Sequence, residues 1–255
     1  MKVKLTPLIR AFAVSSAVTL AACGGGGDGG GTTPAAVASA EGLWTGSTNT
    51  SRTVTGIVLD NGNYWILYSF PNVSALVAGF VQGTGSSASG SFSSSDGIDF
   101  NPSEQGVNKA TVSASYAVKQ SFNGSVSYAS VNSPFTFTSA YAANYDQTPS
   151  LSAIAGNYVG VASVTGSNEP VTIVVSSQGV VAGTGVTSGC QYAGVAAPRA
   201  KGNLYDLSMV VGGSCASGTS SVTGIAYFDP GAKRLYLAAL NSARSNGLIF
   251  SGIKP

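Results

Sequence analysis

The sequence predicts an all-β protein, two tandem small antiparallel β-barrels of about eight strands each, preceded by a segment that belongs to neither. Three observations predict it. Apolar and polar residues alternate over short runs, no helical period appears beyond residue 40, and three short motifs recur in the same order in the two halves. Alternation with a period of two gives each strand one polar and one apolar face, as expected of half-buried antiparallel sheet.

The alternation is plainest in the first half. Over residues 111–118, Val112, Ala114, Tyr116 and Val118 share one face while Thr111, Ser113 and Ser115 take the other. Over residues 121–128, Phe122, Gly124, Val126 and Tyr128 oppose Ser121, Asn123, Ser125 and Ser127. Phe135, Phe137 and Tyr141 mark a further strand, with Thr136 and Thr138 outward. Asp60-Asn61-Gly62, set between apolar-rich runs 53–59 and 64–69, predicts a hairpin because glycine accepts the positive φ of a tight turn.

Repetition follows. Gly42-Leu43-Trp44-Thr45-Gly46 returns as Gly156-Asn157-Tyr158-Val159-Gly160, and Val81-Gln82-Gly83-Thr84-Gly85 as Val181-Ala182-Gly183-Thr184-Gly185. Ser121-Phe122-Asn123-Gly124 returns as Ser221-Val222-Thr223-Gly224. Three matches in one order point to a duplicated module, with surplus residues of the first half expected near 70–79. Turn-formers at 146–150 place the boundary, giving barrels over 41–148 and 149–255. Closure into up-and-down barrels removes the exposed edges that Gly-rich strands would otherwise present; a pair of sandwiches is the alternative. One face mixes large and small residues, Phe122 beside Gly124 and Phe228 beside Gly224 and Ala226, which predicts filled barrels rather than hollow ones.

Residues 1–22 read as an export signal. Lys2, Lys4 and Arg10 precede a largely apolar run that is too short to span a bilayer comfortably. Leu20-Ala21-Ala22-Cys23 closes it and resembles the lipobox of bacterial lipoproteins, which implies lipidation of Cys23 after cleavage. Gly24 stands where an inner-membrane retention signal would place Asp, so the resemblance points to the outer membrane. Residues 24–40 are Gly, Thr, Ala and other small residues, a flexible tether reaching about 23 Å on average.

Composition narrows the chemistry. The 255 residues are 44% hydrophobic and only 9% charged, and none is His. Without imidazole, Ser-His-Asp and Cys-His systems and the commonest zinc and iron sets are excluded. Loss of three cations with the signal leaves 9 Lys+Arg against 10 Asp+Glu, a net −1 that offers no electrostatic case for nucleic acid. With Cys23 lipidated, Cys190 and Cys215 remain, and two Cys in an exported chain predict a disulfide. No catalytic, cofactor-binding or metal-binding constellation emerges. Asp96, Asp99 and Glu104 form the one oxygen-rich stretch, which reads either as a solvated loop or as a calcium site without EF-hand spacing. Gly183-Thr184-Gly185 reads as structural glycine, since no Lys-Ser/Thr and no helix follows it.

Two groups are candidate partner contacts. Trp44, Tyr64, Trp65 and Tyr68 concentrate near the start of the first barrel; alternation puts Tyr64 and Trp65 on opposite faces, so one set is core and the other a possible protein or glycan contact. Charge also divides between the halves, residues 41–149 carrying 3 basic and 6 acidic groups and residues 150–255 carrying 6 and 3. Arg199, Lys201, Lys233, Arg234 and Arg244 read either as a basic face for an acidic partner or as attraction between the barrels.

The lipobox ending at Cys23, the Gly24–Gly31 run and two helix-free Gly-rich repeats resemble the Gram-negative surface lipoproteins of the transferrin-binding protein B and factor H-binding protein type. The resemblance implies tandem barrels, no cofactor, and non-enzymatic binding of a macromolecule at the cell surface; a periplasm-facing accessory lipoprotein is the alternative. The C-terminal run 247–255 departs from that group's usual ending, so no binding residue is transferred.

Overall fold

The computed structural model describes residues 38–104 and 106–255. Cys23, the export signal and nearly all of the tether lie outside them. The regular structure of the described residues is nearly all strand. The first barrel comprises β1 (Gly42–Thr48), β2 (Thr53–Val58), β3 (Asn63–Phe70), β4 (Val73–Thr84), β5 (Ser86–Ala88), β6 (Ser91–Asn101), β7 (Gly106–Ala117), β8 (Ser121–Ser127) and β9 (Phe135–Tyr141). A 3-10 turn (Ala143–Asp146) and a single helical turn, α1 (Leu151–Ile154), lead into the second. That barrel comprises β10 (Gly156–Val164), β11 (Ser167–Val175), β12 (Val180–Gly185), β13 (Cys190–Pro198), β14 (Tyr205–Gly213), β15 (Ser220–Asp229), β16 (Arg234–Leu240) and β17 (Gly247–Ile253).

Both barrels are closed, up-and-down and antiparallel. In the first, β1 pairs with β9, and β4 meets β6 through Phe80↔Phe100, Val81↔Asp99 and Gln82↔Ile98. Short β5 continues the line of β4 beyond Gly85 and pairs with the start of β6. In the second, β10 to β17 pair in sequence order and β17 returns to β10. Antiparallel neighbours need only short hairpins, so each barrel closes with no long crossover. The Asp60-Asn61-Gly62 turn is one such hairpin: Gly62 has φ +82 and donates to Leu59 O at 3.0 Å.

The repeat motifs are only partly equivalent. Trp44 and Tyr158 occupy matching places at the first strand of each barrel, and each is anchored to a carbonyl four residues back. Trp44 Nε1 donates to Ala40 O at 3.0 Å, and Tyr158 Oη to Ile154 O at 2.7 Å. Gly46 and Gly160 match as well: a Cβ at either would lie 1.8 or 2.1 Å from a carbonyl oxygen of the neighbouring last strand. The other two matches are one strand out of step, Gly83 on the fourth strand of its barrel and Gly183 on the third. Nor is the surplus of the first half confined to 70–79. It is spread over β4, β6 and β7, of 11–12 residues, against at most 10 in the second barrel.

Each interior is filled. Aromatic rings plug the first, with Phe122 5.6 Å from Trp44 and 5.4 Å from Phe92, and Tyr64 edge-on to Phe92 at 5.5 Å. The second uses Ile173, Val181, Leu207, Met209, Leu235, Leu237 and Phe250, with Tyr158, Tyr192 and Tyr205 towards its ends. Cys190 and Cys215 are joined, with Cα atoms 4.3 Å apart, tying the start of β13 to the segment after β14.

A third core lies between the barrels. Leu43, Ile57, Leu59, Trp65, Leu67, Phe80 and Phe100 on the outer wall of the first barrel pack against the second. There they meet Leu204, Ile225, Tyr227, Ala238, Leu240 and Ile249. Strands here are buried on both faces, as the unbroken runs Tyr64-Trp65-Ile66-Leu67 and Leu248-Ile249-Phe250 require.

Candidate functional site

A single inserted residue arranges much of the local chemistry. Register in the β6–β7 ladder slips between Ser94 and Gly97. An extra residue in one strand sends every later side chain to the opposite face. Before the bulge Phe92 and Ser94 point into the barrel; after it Asp99 and Asn101 do, while Phe100 turns outward into the third core. The carboxylates of the oxygen-rich stretch are thereby separated. Asp96, at the bulge, accepts from Thr84 N and Ser94 Oγ, both at 2.9 Å, and faces Arg244 at 3.7 Å. Asp99 enters the barrel, and Glu104 pairs with Arg52 at 3.1 Å. Among the described residues, no three His, Cys, Asp or Glu side chains converge as a metal site would need.

Asp99 is buried, 3% exposed, at one end of the first barrel. Tyr68 and Tyr128 donate to its two oxygens at 2.6 and 2.8 Å. Burial pushes its pKa up to about 6, against the lowering effect of those two hydrogen bonds and of nearby Arg52. The Arg52 guanidinium lies 5.5 Å from the centre of the Tyr68 ring. The space beside these groups is only about 70 Å³, room for two or three waters. With both carboxylate oxygens already engaged, this is a buried polar cluster that stiffens the barrel end rather than a substrate site.

The larger space is a cleft of about 570 Å³ between the barrels. Asn63, Trp65 and Gln82 of the first barrel form one wall. The outer face of β13–β15 forms the floor, through Val195, Ala197, Ser208 and Thr223. Asn241, Ser242 and Arg244 close the rim after β16. Trp65 is 8% exposed, and its indole N–H has no acceptor; the Nε–H of Arg244 has none either.

The other candidate contacts fall as follows. Trp44 is fully buried inside the first barrel, edge-on to Tyr141 at 5.3 Å, and Tyr68 is turned inward onto Asp99. Neither presents a surface to a partner, because strand parity puts both on the same inward face as Tyr64. Trp65 is the outward member, and most of it is covered by the second barrel. Four of the five basic residues reach across to the first barrel instead of forming a free basic face. Arg199 and Lys201 meet Asp60 at 3.1 and 3.8 Å, and Arg199 also pairs with Asp206. Arg234 donates to Ala75 O at 2.8 Å, and Arg244 donates to Gln82 O as well as facing Asp96. Lys233 stays exposed in the β15–β16 turn. Arg199, Lys201 and Arg244 thus face carboxylates of the first barrel, and Arg234 a backbone carbonyl there.

No protein-family model and no curated protein matches the chain. Among solved structures it is similar to a candidate outer membrane protein from Bacteroides fragilis, at 14% identity over 84% of this chain and 96% of that one, with a TM-score of 0.25. It is also similar to a mutant of the vaccine antigen transferrin binding protein B from Haemophilus parasuis. There the identity is 10%, over 80% of this chain and 60% of that one, with a TM-score of 0.30. This chain therefore spans less than two thirds of the second protein. A tandem-barrel transferrin-binding protein is among the structures it is similar to, but superpositions this loose carry no argument. The architecture rests on the strand pairings themselves.

Part of the cleft was legible. Trp65 and Arg244 are among the candidate contacts, although alternation alone does not say which of Tyr64 and Trp65 faces outward. Ser208, Thr223 and Asn241 carry no signal of their own, since each is an ordinary outer-wall or turn residue until a second barrel stands opposite it.

Proposed function

We propose that the chain is a lipid-anchored outer-membrane protein that binds a macromolecular partner at the cell surface without chemical turnover. The observation that supports this reading is that both barrel interiors are filled while a cleft of about 570 Å³ stands open between them, which favours recognition through outer surfaces. The carboxylates inside the barrels support the same reading. Asp99 is held by two tyrosines, and Glu169 accepts from Thr187 N and Ser188 N, both at 2.9 Å. Each is committed to holding the fold.

The lipid anchor is tested by Cys23→Ala, which should abolish labelling by a palmitate analogue and release the chain from the membrane fraction. Protease treatment of intact cells tests the side of the membrane. Loss of the folded region on intact cells is the expected result. Protection until permeabilisation would overturn surface display and favour the accessory role in the periplasm.

A further inference from the structure

The free outer walls of the two barrels differ. On the first, the outward positions of β7–β9 carry hydroxyls, Ser113 standing beside Ser125 and Ser125 beside Thr136. On the second, the wall formed by β11–β14 presents Val174, Val180, Val195 and Val210, each 44–50% exposed. Glu169 is the one charged residue from 156 to 198, and it is buried inside the barrel. A closed ring leaves no free edge for strand addition, so a partner must meet this wall through its side chains.

The registers set those side chains in two rows across the strands. One row runs Val174, Ala182, Ala193, Val210. The next runs Ser176, Val180, Val195, Ser208, its first step made by Ser176 N donating to Val180 O at 2.8 Å. Large residues flank small ones in the first row, and the order is reversed in the second. Consider two such walls face to face, with a twofold axis in the contact plane that crosses the strands between the rows. Each row then lies over the other row of the second copy. Val180 and Val195 enter the hollows above Ala182 and Ala193, while Val174 and Val210 stand over Ser176 and Ser208. We propose that this wall is the contact through which two copies of the chain associate. A pattern that complements itself under a twofold is what a second copy requires, and an unrelated partner has no use for it. Four strands about 4.8 Å apart, with some six residues of each, make a face of about 400 Å² in projection. Two copies would therefore remove about 1,200 Å² of accessible surface, at the lower edge of specific interfaces. The wall also continues a surface already in use. Val195 and Ser208 border the open cleft, and Ile225 and Leu240 beyond it are covered by the first barrel. A lipid surface is the poorer match, because no Trp, Tyr, Lys or Arg points outward along β11–β14. The dimer goes beyond the surface-binding reading and does not depend on it.

The test attaches a maleimide-linked benzophenone to the full chain in the envelopes of the cells that produce it. Ala193→Cys carries the probe on the proposed contact, and Ser113→Cys carries it on the outer wall of the first barrel. The unsubstituted chain, whose Cys190 and Cys215 are joined, is the blank. On illumination, Ala193→Cys should give a product of twice the chain's mass, with about tenfold less from Ser113→Cys. Adding Val180→Lys, at a half-exposed position, should lower the yield about tenfold by placing a charge in the apolar contact. Adding Ala182→Glu as well, which the twofold sets against that lysine, should recover most of the loss. The recovery separates a broken contact from a misfolded chain. Absence of the product, equal yields from the two walls, indifference to Val180→Lys, or no recovery on adding Ala182→Glu would each overturn the assignment. Attachment to lipid or to a different protein in place of a second copy would also overturn it, while leaving the surface-binding reading intact.

Discussion

Asp99 is a carboxylate whose charged form the fold disfavours, and its pKa of about 6 against 3.8 unfolded has a definite consequence for pH. Between those values the folded protein holds a proton that the unfolded chain has released, so this group adds stability as pH falls from 7 towards 4. The expected contribution is at most about 3 kcal/mol. Asp99→Asn should remove that slope, seen by comparing urea midpoints of the two proteins from pH 4.5 to 7. Asp146 behaves oppositely, because the hydrogen bonds from Lys119 and Tyr141 hold its pKa below the usual carboxylate range. Its support is lost only as pH falls through that lowered value, and so leaves the window above pH 4.5 untouched. Gly46 tests the closest approach of two strands. A methyl group there would lie 1.8 Å from Thr138 O, so β1 or β9 must move, and Gly46→Ala should cost about 1–3 kcal/mol while exposed Thr45→Ala costs little. Thermal melting of the two variants checks it.

At the scale of the element, the bulge in β6 does more than any single side chain. It sends Phe92 inward and Phe100 outward on one strand, so one strand serves two cores. Strict alternation read along residues 91–101 therefore assigns half of the strand to the wrong face, and nothing in Ser94-Ser95-Asp96-Gly97 announces the extra residue. Deleting Ser95 leaves Ser94 and Gly97 two positions apart on the inward face, so it should remove the bulge while keeping Asp99 inside, with tyrosine fluorescence reporting that the Tyr68–Asp99–Tyr128 cluster is retained. The disulfide acts on a different element pair. Removing it as Cys190→Ala with Cys215→Ala frees a connection of 25 residues and should lower stability by about 3 kcal/mol. Differential scanning calorimetry measures it. The pairing of these cysteines was legible because the lipobox resemblance reserves Cys23 for lipid and leaves only two.

On the scale of the whole molecule, the barrels are joined by an apolar face ringed with ion pairs, and charge and hydrophobicity act together there. Produced alone, residues 149–255 would expose Ile225, Tyr227, Leu240 and Ile249, a patch that should drive self-association detectable by light scattering. Arg199 is largely covered and faces Asp60 across the interface. Arg199→Asp or Asp60→Arg alone should loosen the contact, and the double exchange should recover part of the loss. A coupling of about 0.5–1 kcal/mol is expected from the double-mutant cycle.

Strand positions, the hairpin at Asp60-Asn61-Gly62, the filled interiors and the cysteine pair were all set by local pattern, because period-two alternation, turn chemistry and cysteine count act within a few residues or by simple elimination. That the continuous runs Tyr64-Trp65-Ile66-Leu67 and Leu248-Ile249-Phe250 are buried on both faces was not foreseen from alternation and came only with the second wall that covers them. Which strands close each ring, which residues stand in equivalent places in the two barrels, and which outer walls meet were decided only by the tertiary structure. Outward apolar residues and opposite charges look the same in sequence whether they await a partner or already have one. Here most of Trp65 and four of the five basic side chains are occupied by the other half of the same chain, and the cleft exists only because the two walls stand side by side.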